Sequence, residues 1–128
     1  MITSNQTKIL DDICDTISKQ PGIRFCGIVN KLGRLIAGGF KQDIIPYVTD
    51  EKNRTIYMQL CLELSMRKEY DDLLGPIEYI AAKRKKVTMI SIPIQSYFMI
   101  LSVEPFVDSE KIVKHVMEIF QENVYLKQ

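Results

Sequence analysis

The spacing of apolar residues along the chain predicts three helices and five strands. In the first and last segments apolar residues recur every three or four positions, as on one face of a helix, and in the segments between they are nearly continuous. Glycine, proline and short polar runs separate these segments. In chain order we expect a helix at residues 4–18, strands at 23–30 and 34–40, a long helix from about 49 to 74, strands at 77–83, 87–94 and 97–103, and a helix from 108 to about 123.

The strands at 87–94 and 97–103 are apolar on both faces. In the first of them, Val87 and Met89 lie on one face, and Ile90, Ile92 and Ile94 on the other. Antiparallel sheets usually leave one face in water, so a sheet with two apolar faces has to be covered on both sides. The sequence therefore predicts a three-layer α/β/α sandwich of the α/β (α+β) class, with the element order α-β-β-α-β-β-β-α around a five-stranded, mostly antiparallel sheet.

The long helix has one apolar stripe more than it needs to cover a sheet. An inner stripe comprises Ile56, Tyr57, Leu60, Cys61 and Leu64, and an outer stripe, centred roughly opposite, comprises Met58, Leu62, Met66, Tyr70 and Leu73. Contiguous exposed apolar residues usually mark binding surfaces. We interpret the outer stripe as the contact with a second copy of the chain across a two-fold axis. The alternative is that neighbouring loops or the first helix cover it.

Composition indicates an ordinary globular domain spanning residues 1–128. Of the 128 residues, 46% are hydrophobic and 26% charged, and the formal net charge of +1 gives no field that predicts a nucleic-acid partner. The three cysteines are too scattered for a disulfide framework, which favours buried, reduced thiols and a cytoplasmic location. No apolar run is long enough to span a membrane, and the first residues do not resemble a signal peptide.

The sequence contains no motif that indicates catalysis, a cofactor or a metal ion. A nucleophile elbow, a glycine-rich phosphate loop and a zinc-ligand spacing are all missing. His115, the single histidine, is expected on the solvated face of the last helix, and Asp11 and Asp12 on the solvated face of the first. We therefore expect no catalytic residue, no bound cofactor and no metal site.

One run of basic residues, Lys83, Arg84, Lys85 and Lys86, stands between two predicted strands. A solvated hairpin tip that keeps a sheet edge soluble is the simpler interpretation. The alternative is an electrostatic docking patch for an acidic protein, an anionic lipid or a nucleic acid. Because no aromatic residues interrupt the run, specific nucleic-acid recognition is not expected.

The first predicted hairpin resembles that of the roadblock/dynein-light-chain family, a longin-like and profilin-like α/β/α fold, in its prokaryotic form. Gly27-Ile28-Val29, Gly33 and Leu35-Ile36-Ala37 match the family's hydrophobic strand, glycine-containing turn and Ile-Ala ending, although Asn30 stands where the family commonly has aspartate. The resemblance covers about residues 9–120 and extends to the element order and the two-faced long helix.

This resemblance implies an antiparallel sheet with the long helix on one face and the terminal helices on the other. It also implies homodimers or heterodimers formed through the long helix and the adjacent edge of the third strand. Ile77 and Tyr79 would then join Met58, Leu62, Met66, Tyr70 and Leu73 in the interface. Prokaryotic members of the family are associated with small Ras-like GTPases, as regulators or scaffolds.

Two functions of different classes follow from these observations. The first is a non-enzymatic, homodimeric interaction or scaffold module that binds another protein, with a small GTPase as the partner that the resemblance implies. The second is a small-molecule sensor with a pocket between the sheet and the helices, which requires convergent polar groups among the apolar strands. Ser91 and Ser102 are the polar residues available for such a pocket.

Overall fold

The computed structural model describes residues 3–122 of the chain. In chain order, its elements are α1 (Ser4–Ser18), β1 (Ile23–Val29), β2 (Leu35–Phe40), α2 (Asp50–Arg67), a 3₁₀ turn (Lys68–Tyr70), α3 (Asp71–Leu74), β3 (Ile80–Lys83), β4 (Thr88–Ile94), β5 (Tyr97–Val103) and α4 (Ser109–Glu122). The end predicted for the last helix, Asn123, lies outside the described residues.

Side-chain caps fix where the helices begin. Thr3 and Gln6 form a capping box at the start of α1, in which the Thr3 hydroxyl accepts from the Gln6 N–H. The Thr49 hydroxyl accepts from the Lys52 N–H at the start of α2. Asp108 accepts the Lys111 N–H at the start of α4. These are the helix starts that the sequence predicts.

The five strands form one antiparallel sheet in the order β2-β1-β5-β4-β3. The first strand lies inside the sheet, where it pairs with both β2 and β5, and all seven of its residues are buried. The outer strands β2 and β3 each have one neighbour, so each presents a free edge.

Helices cover both faces of the sheet. On one face α1 and α4 pack over a core that includes Ile17, Ile92, Met99 and Val116. On the other face α2 packs through Tyr57, Cys61 and Leu64 onto a second core, which is built on Phe25, Val29, Phe98 and Ile100. The predicted three-layer sandwich with a five-stranded sheet is confirmed.

The long helix predicted up to residue 74 is not continuous. The α-helical part ends at Arg67, three residues form a 3₁₀ turn, and the four-residue α3 follows. Tyr70, the last residue of the 3₁₀ turn and the residue before α3, has φ −102° and ψ 8°, which is outside α-helical geometry. The helix axis is therefore interrupted there. As the sequence predicts, Gly75 ends the segment, with its N–H donating to the Asp71 carbonyl.

Two further details differ from the sequence-based expectation. The third strand begins at Ile80, not at Ile77, because its partner β4 pairs with it only from Ile80 to Lys83. The apolar spacing of the last helix predicts Met117 on the buried face with Ile112 and Val116, but Met117 is partly exposed and Ile119 is buried.

Gly38 allows a close approach between the backbones of β2 and β1. Its φ is +84°, and a Cβ atom placed there would lie 2.2 Å from the Cys26 carbonyl oxygen of the neighbouring strand. Its N–H donates to the Asp11 carboxylate of α1 at 2.8 Å. Asp11, expected to be merely solvated, therefore ties α1 to the sheet.

Candidate interaction surface

The outer stripe of the long helical segment is exposed in the single chain. The exposed fractions of Met58, Leu62, Met66, Tyr70 and Leu73 range from 53% to 81%. No loop of the described chain covers these side chains, and α1 packs on the opposite face of the sheet. The stripe is therefore an unpartnered apolar surface of the kind that usually marks a binding site.

Burial of the inner stripe holds α2 in the orientation that exposes the outer one. The Tyr57 ring stacks on Phe25, with 5.2 Å between the ring centroids. Burial and the nearby Asp50 carboxylate raise the pKa of Tyr57 to about 12. The Cys61 thiol donates to the Asn30 carbonyl at 3.7 Å. Because these contacts fix the rotation of the helix about its axis, Met58 and Leu62 face away from the sheet.

The β1–β2 turn and the first residue of β2 extend this apolar surface with two residues that the sequence did not predict there. Leu32 is 80% exposed and Leu35 43% exposed. Gly33 lies so close to α2 that a Cβ atom there would be 2.8 Å from the Met58 Cα. The turn is thus packed beside the outer stripe. A leucine inside the polar turn sequence Asn30–Arg34 was the signal available in the sequence.

The structure divides the two interface residues expected next to the third strand between opposite faces. Ile77 packs against the core beneath α2, whereas Tyr79 packs against the core beneath α1 and α4, where its hydroxyl donates to Glu110. Both precede β3 and are partly buried. The exposed residues of the free edge itself are Ala81, Ala82 and Lys83.

The basic run forms the exposed tip of the β3–β4 hairpin. The Arg84 N–H donates to the Val87 carbonyl to close the turn. The Lys86 ammonium lies 6.0 Å from the centroid of the Tyr47 ring, which also stacks against the Arg24 guanidinium at 4.1 Å. The tip therefore lies beside the loop at 41–49, at the end of the sheet where α2 begins.

A cavity of about 350 Å³ lies between that loop, α2 and the sheet. Phe25, Phe40 and Tyr57 form apolar walls, and Ser102 and Arg84 contribute polar groups. Of the two serines expected to be available for a pocket, Ser102 lines this cavity, whereas Ser91 is buried beside it without lining it.

The described residues contain no group of three or more His, Cys, Asp or Glu side chains that could hold a metal ion. His115 is partly buried, and its Nε2 has no hydrogen-bond partner among residues 3–122. The histidine is therefore less solvated than the sequence predicts, because its Nε2 is buried. Within the same residues, no helix is both long enough and apolar enough to cross a membrane.

All three cysteines are free and buried, which leads to a reactivity prediction. Burial raises the pKa of Cys61 from 9.0 to about 11, and a hydrogen bond with Cys14 together with burial raises the pKa of Cys26. At pH 8 we expect Cys61 to react with Ellman's reagent about 100-fold more slowly in the folded chain than in denaturant, since the thiolate is the reactive form.

The same shift has a consequence for stability. An unfolded chain loses the Cys61 proton from about pH 9, whereas the folded chain retains it to about pH 11. The free energy of unfolding therefore decreases as the pH rises across that interval. Both effects are measured by absorbance of the released thiolate and by denaturant unfolding at several pH values. A native thiol that reacts at the rate of the denatured chain contradicts the assignment.

Comparison with solved structures places this arrangement in a known fold. The chain superposes on a Roadblock/LC7 domain from Streptomyces avermitilis with a TM-score of 0.70 at 7% identity, covering 93% of this chain and 98% of that one. It superposes on Myxococcus xanthus MglB with a TM-score of 0.67 at 12% identity, covering 95% of each chain. For the gliding protein MglB of Thermus thermophilus the TM-score is 0.71 at 8% identity, and the superposition covers 95% of this chain and 96% of that one. The chain has a roadblock-like fold, which confirms the resemblance drawn from its sequence.

These low sequence identities establish the fold but not the sequence family, which a separate comparison gives. Residues 3–125 match the model of DUF6659, described as a family of unknown function, and the chain belongs to that family. A search of curated proteins gives no match.

Proposed function

We propose that the chain acts as a single roadblock-like domain, a non-enzymatic homodimeric scaffold in the cytoplasm that binds a further protein. The observation that carries this proposal is the outer stripe, with five large apolar side chains exposed along one helical segment. A two-fold axis beside α2 would bring the same stripe of a second chain against it, in an isologous contact.

Three further observations support this assignment. Leu32 in the β1–β2 turn and Leu35 at the start of β2 widen the apolar surface beside Met58. The free edge of β3 lies on the far side of the sheet from β2 and can pair with the same edge of a second chain, which would remove an aggregation hazard. The structure of an MglB with a tetrameric arrangement, which superposes with a TM-score of 0.71, shows that this fold self-associates in at least one protein.

A small Ras-like GTPase is the partner class we propose, on the basis of the family resemblance. The basic hairpin tip at residues 83–86 would steer an acidic face of that partner toward the domain, because opposite charges accelerate encounter. Partner and steering are tested together, by measuring binding of each small Ras-like GTPase of the same genome, loaded with GDP or with a non-hydrolysable GTP analogue.

We expect one such GTPase to bind, and replacement of Lys83, Lys85 and Lys86 with glutamine to lower its association rate constant about tenfold at low salt. The loss should shrink as salt rises, since screening weakens steering. A matched control replaces the exposed Lys8, Lys111 and Lys114 with glutamine, which removes the same charge elsewhere. Equal effects of the two triple variants would show that the tip has no special role, and absence of binding by every GTPase would remove the proposed partner class.

A further inference from the structure

The cavity between α2, the sheet and the loop at 41–49 has the composition of a ligand site. Its volume of about 350 Å³ falls at the small end of the range found for ligand pockets. Apolar side chains from both the sheet and the helix form most of its lining, among them Phe25, Phe40, Tyr57 and Met89. A ligand of about a dozen non-hydrogen atoms fits such a space.

Ser102 gives the cavity a polar group that the protein itself leaves unused. Its side chain lies on the α2 face of β5, where it follows Phe98 and Ile100 at alternate positions, and it is 7% exposed. Its hydroxyl makes no hydrogen bond with any described residue. Because this hydroxyl is engaged by no protein group and can both donate and accept, it is available to hydrogen-bond a ligand in the cavity.

The charged residues at the rim of the cavity indicate that the ligand is negatively charged. Two arginines line the cavity, and they differ in their partners. The Arg24 guanidinium is neutralised by Glu104 at 3.1 Å and donates to the Ile45 carbonyl at 3.0 Å. Arg84 forms no ion pair with any residue from 3 to 122. One uncompensated guanidinium therefore remains at the rim, and a carboxylate is one of the anionic groups that a guanidinium binds through two parallel hydrogen bonds.

The contacts of Arg24 also hold the cavity open. Its guanidinium stacks on Tyr47 and binds the backbone of Ile45, so the loop that forms the outer wall is fixed to β1. The ion pair with Glu104 fixes the same side chain to the chain segment after β5. A preformed wall lowers the ordering cost of binding.

We infer that this cavity binds a small monocarboxylate with an apolar body, whose carboxylate pairs with Arg84 while Ser102 bonds a polar atom of the ligand. The site lies on the inner side of α2, away from the outer stripe. It therefore goes beyond the proposed scaffold function and does not depend on the homodimer.

The test uses 3-phenylpropionate and octanoate as probes, followed by the methionine methyl resonances of the ¹³C-methyl-labelled chain. Met89 lines the cavity, whereas Met99 is buried in the core on the other face of the sheet, so its methyl serves as an internal control. We expect one of the two acids to shift the Met89 methyl in a saturable way, with a dissociation constant below roughly 1 mM, and to leave the Met99 methyl in place. The amide of that acid should bind about tenfold more weakly, because it lacks the charge.

Single substitutions test the proposed roles of Arg84 and Ser102 in binding. Arg84→Gln should weaken the acid about tenfold and leave the amide unchanged. Ser102→Ala should weaken both ligands about fivefold, whereas Ser91→Ala, which removes a more deeply buried hydroxyl outside the cavity, should change neither. Leu62→Asp should leave the affinity unchanged, so this test and the test of the homodimer fail independently. Absence of a saturable Met89 shift with either acid up to about 5 mM, or equal affinity for acid and amide, overturns the inference.

Discussion

Replacing Leu62 with aspartate is expected to convert a dimer of the chain into a monomer. Leu62 lies in the middle of the outer stripe and is 61% exposed in the single chain, so the substitution itself costs the folded monomer little. In the proposed two-fold contact, by contrast, it would bury an unpaired carboxylate from each chain in an apolar interface. We expect the dissociation constant of the dimer to rise at least about 100-fold, since central apolar residues dominate such interfaces.

Light scattering at tens of micromolar measures the result as a mass. The native chain should have about twice the mass of one chain, and the Leu62→Asp chain the mass of one. Ile45→Asp is the matched control, because Ile45 is an even more exposed apolar residue but lies in the loop before α2, away from the stripe. It should leave the dimer intact. A native chain that is monomeric under these conditions contradicts the homodimer, and dissociation by both variants would show that added charge alone causes the effect.

Replacing Gly38 with alanine is expected to lower the free energy of unfolding by about 3 kcal/mol. The added Cβ would lie 2.2 Å from the Cys26 carbonyl oxygen. The backbone φ of residue 38 is +84°, which alanine adopts only with strain. The obstructing atom belongs to the backbone of β1, in the interior of the sheet, and it cannot move without disturbing the register that pairs Gly27 with Gly38. The hydrogen bond from Gly38 to Asp11 would be distorted as well.

The adjacent Gly39 supplies a control one residue away. Nothing lies within 4 Å of a Cβ atom built there, and its φ is not positive, so Gly39→Ala should change stability by less than about 1 kcal/mol. Denaturant unfolding, at one protein concentration because of the proposed dimer, measures both variants. Equal stability of the two variants would contradict the geometry around Gly38.

Much of the fold follows from short-range patterns in the sequence. The start and end of α1, the Thr49 cap of α2 and the doubly apolar strands β4 and β5 all depend on neighbours within a few residues, and all were predicted. The break near Tyr70 was not predicted, because the apolar spacing continues through the 3₁₀ turn.

The candidate surfaces depend differently on sequence and tertiary structure. The part of the outer stripe on α2 follows from the sequence, because Met58, Leu62 and Met66, spaced four residues apart, share one helix face, whereas Tyr70 and Leu73 lie beyond the end of α2. Leu32 and Leu35 could not be assigned to that surface, since only the close approach of Gly33 to Met58 brings the turn beside the helix. Tyr79 was expected in the same interface, but the alternation of side chains before β3 directs it to α4.

By itself the sequence determined the layers of this protein and the excess of apolar residues on its long helix, because both follow from periodicity within one element. Only the tertiary structure decided which charges remain uncompensated and which polar groups remain unpaired. Arg24 and Arg84 look alike in the sequence, but Glu104, far along the chain, neutralises the first and leaves the second free of any ion pair within residues 3–122. Ser91 and Ser102 likewise look alike in the sequence, but only Ser102 lines the cavity, whereas the Ser91 hydroxyl is buried without a hydrogen-bond partner among residues 3–122. Such differences arise between residues distant in the chain, and no local pattern carries them.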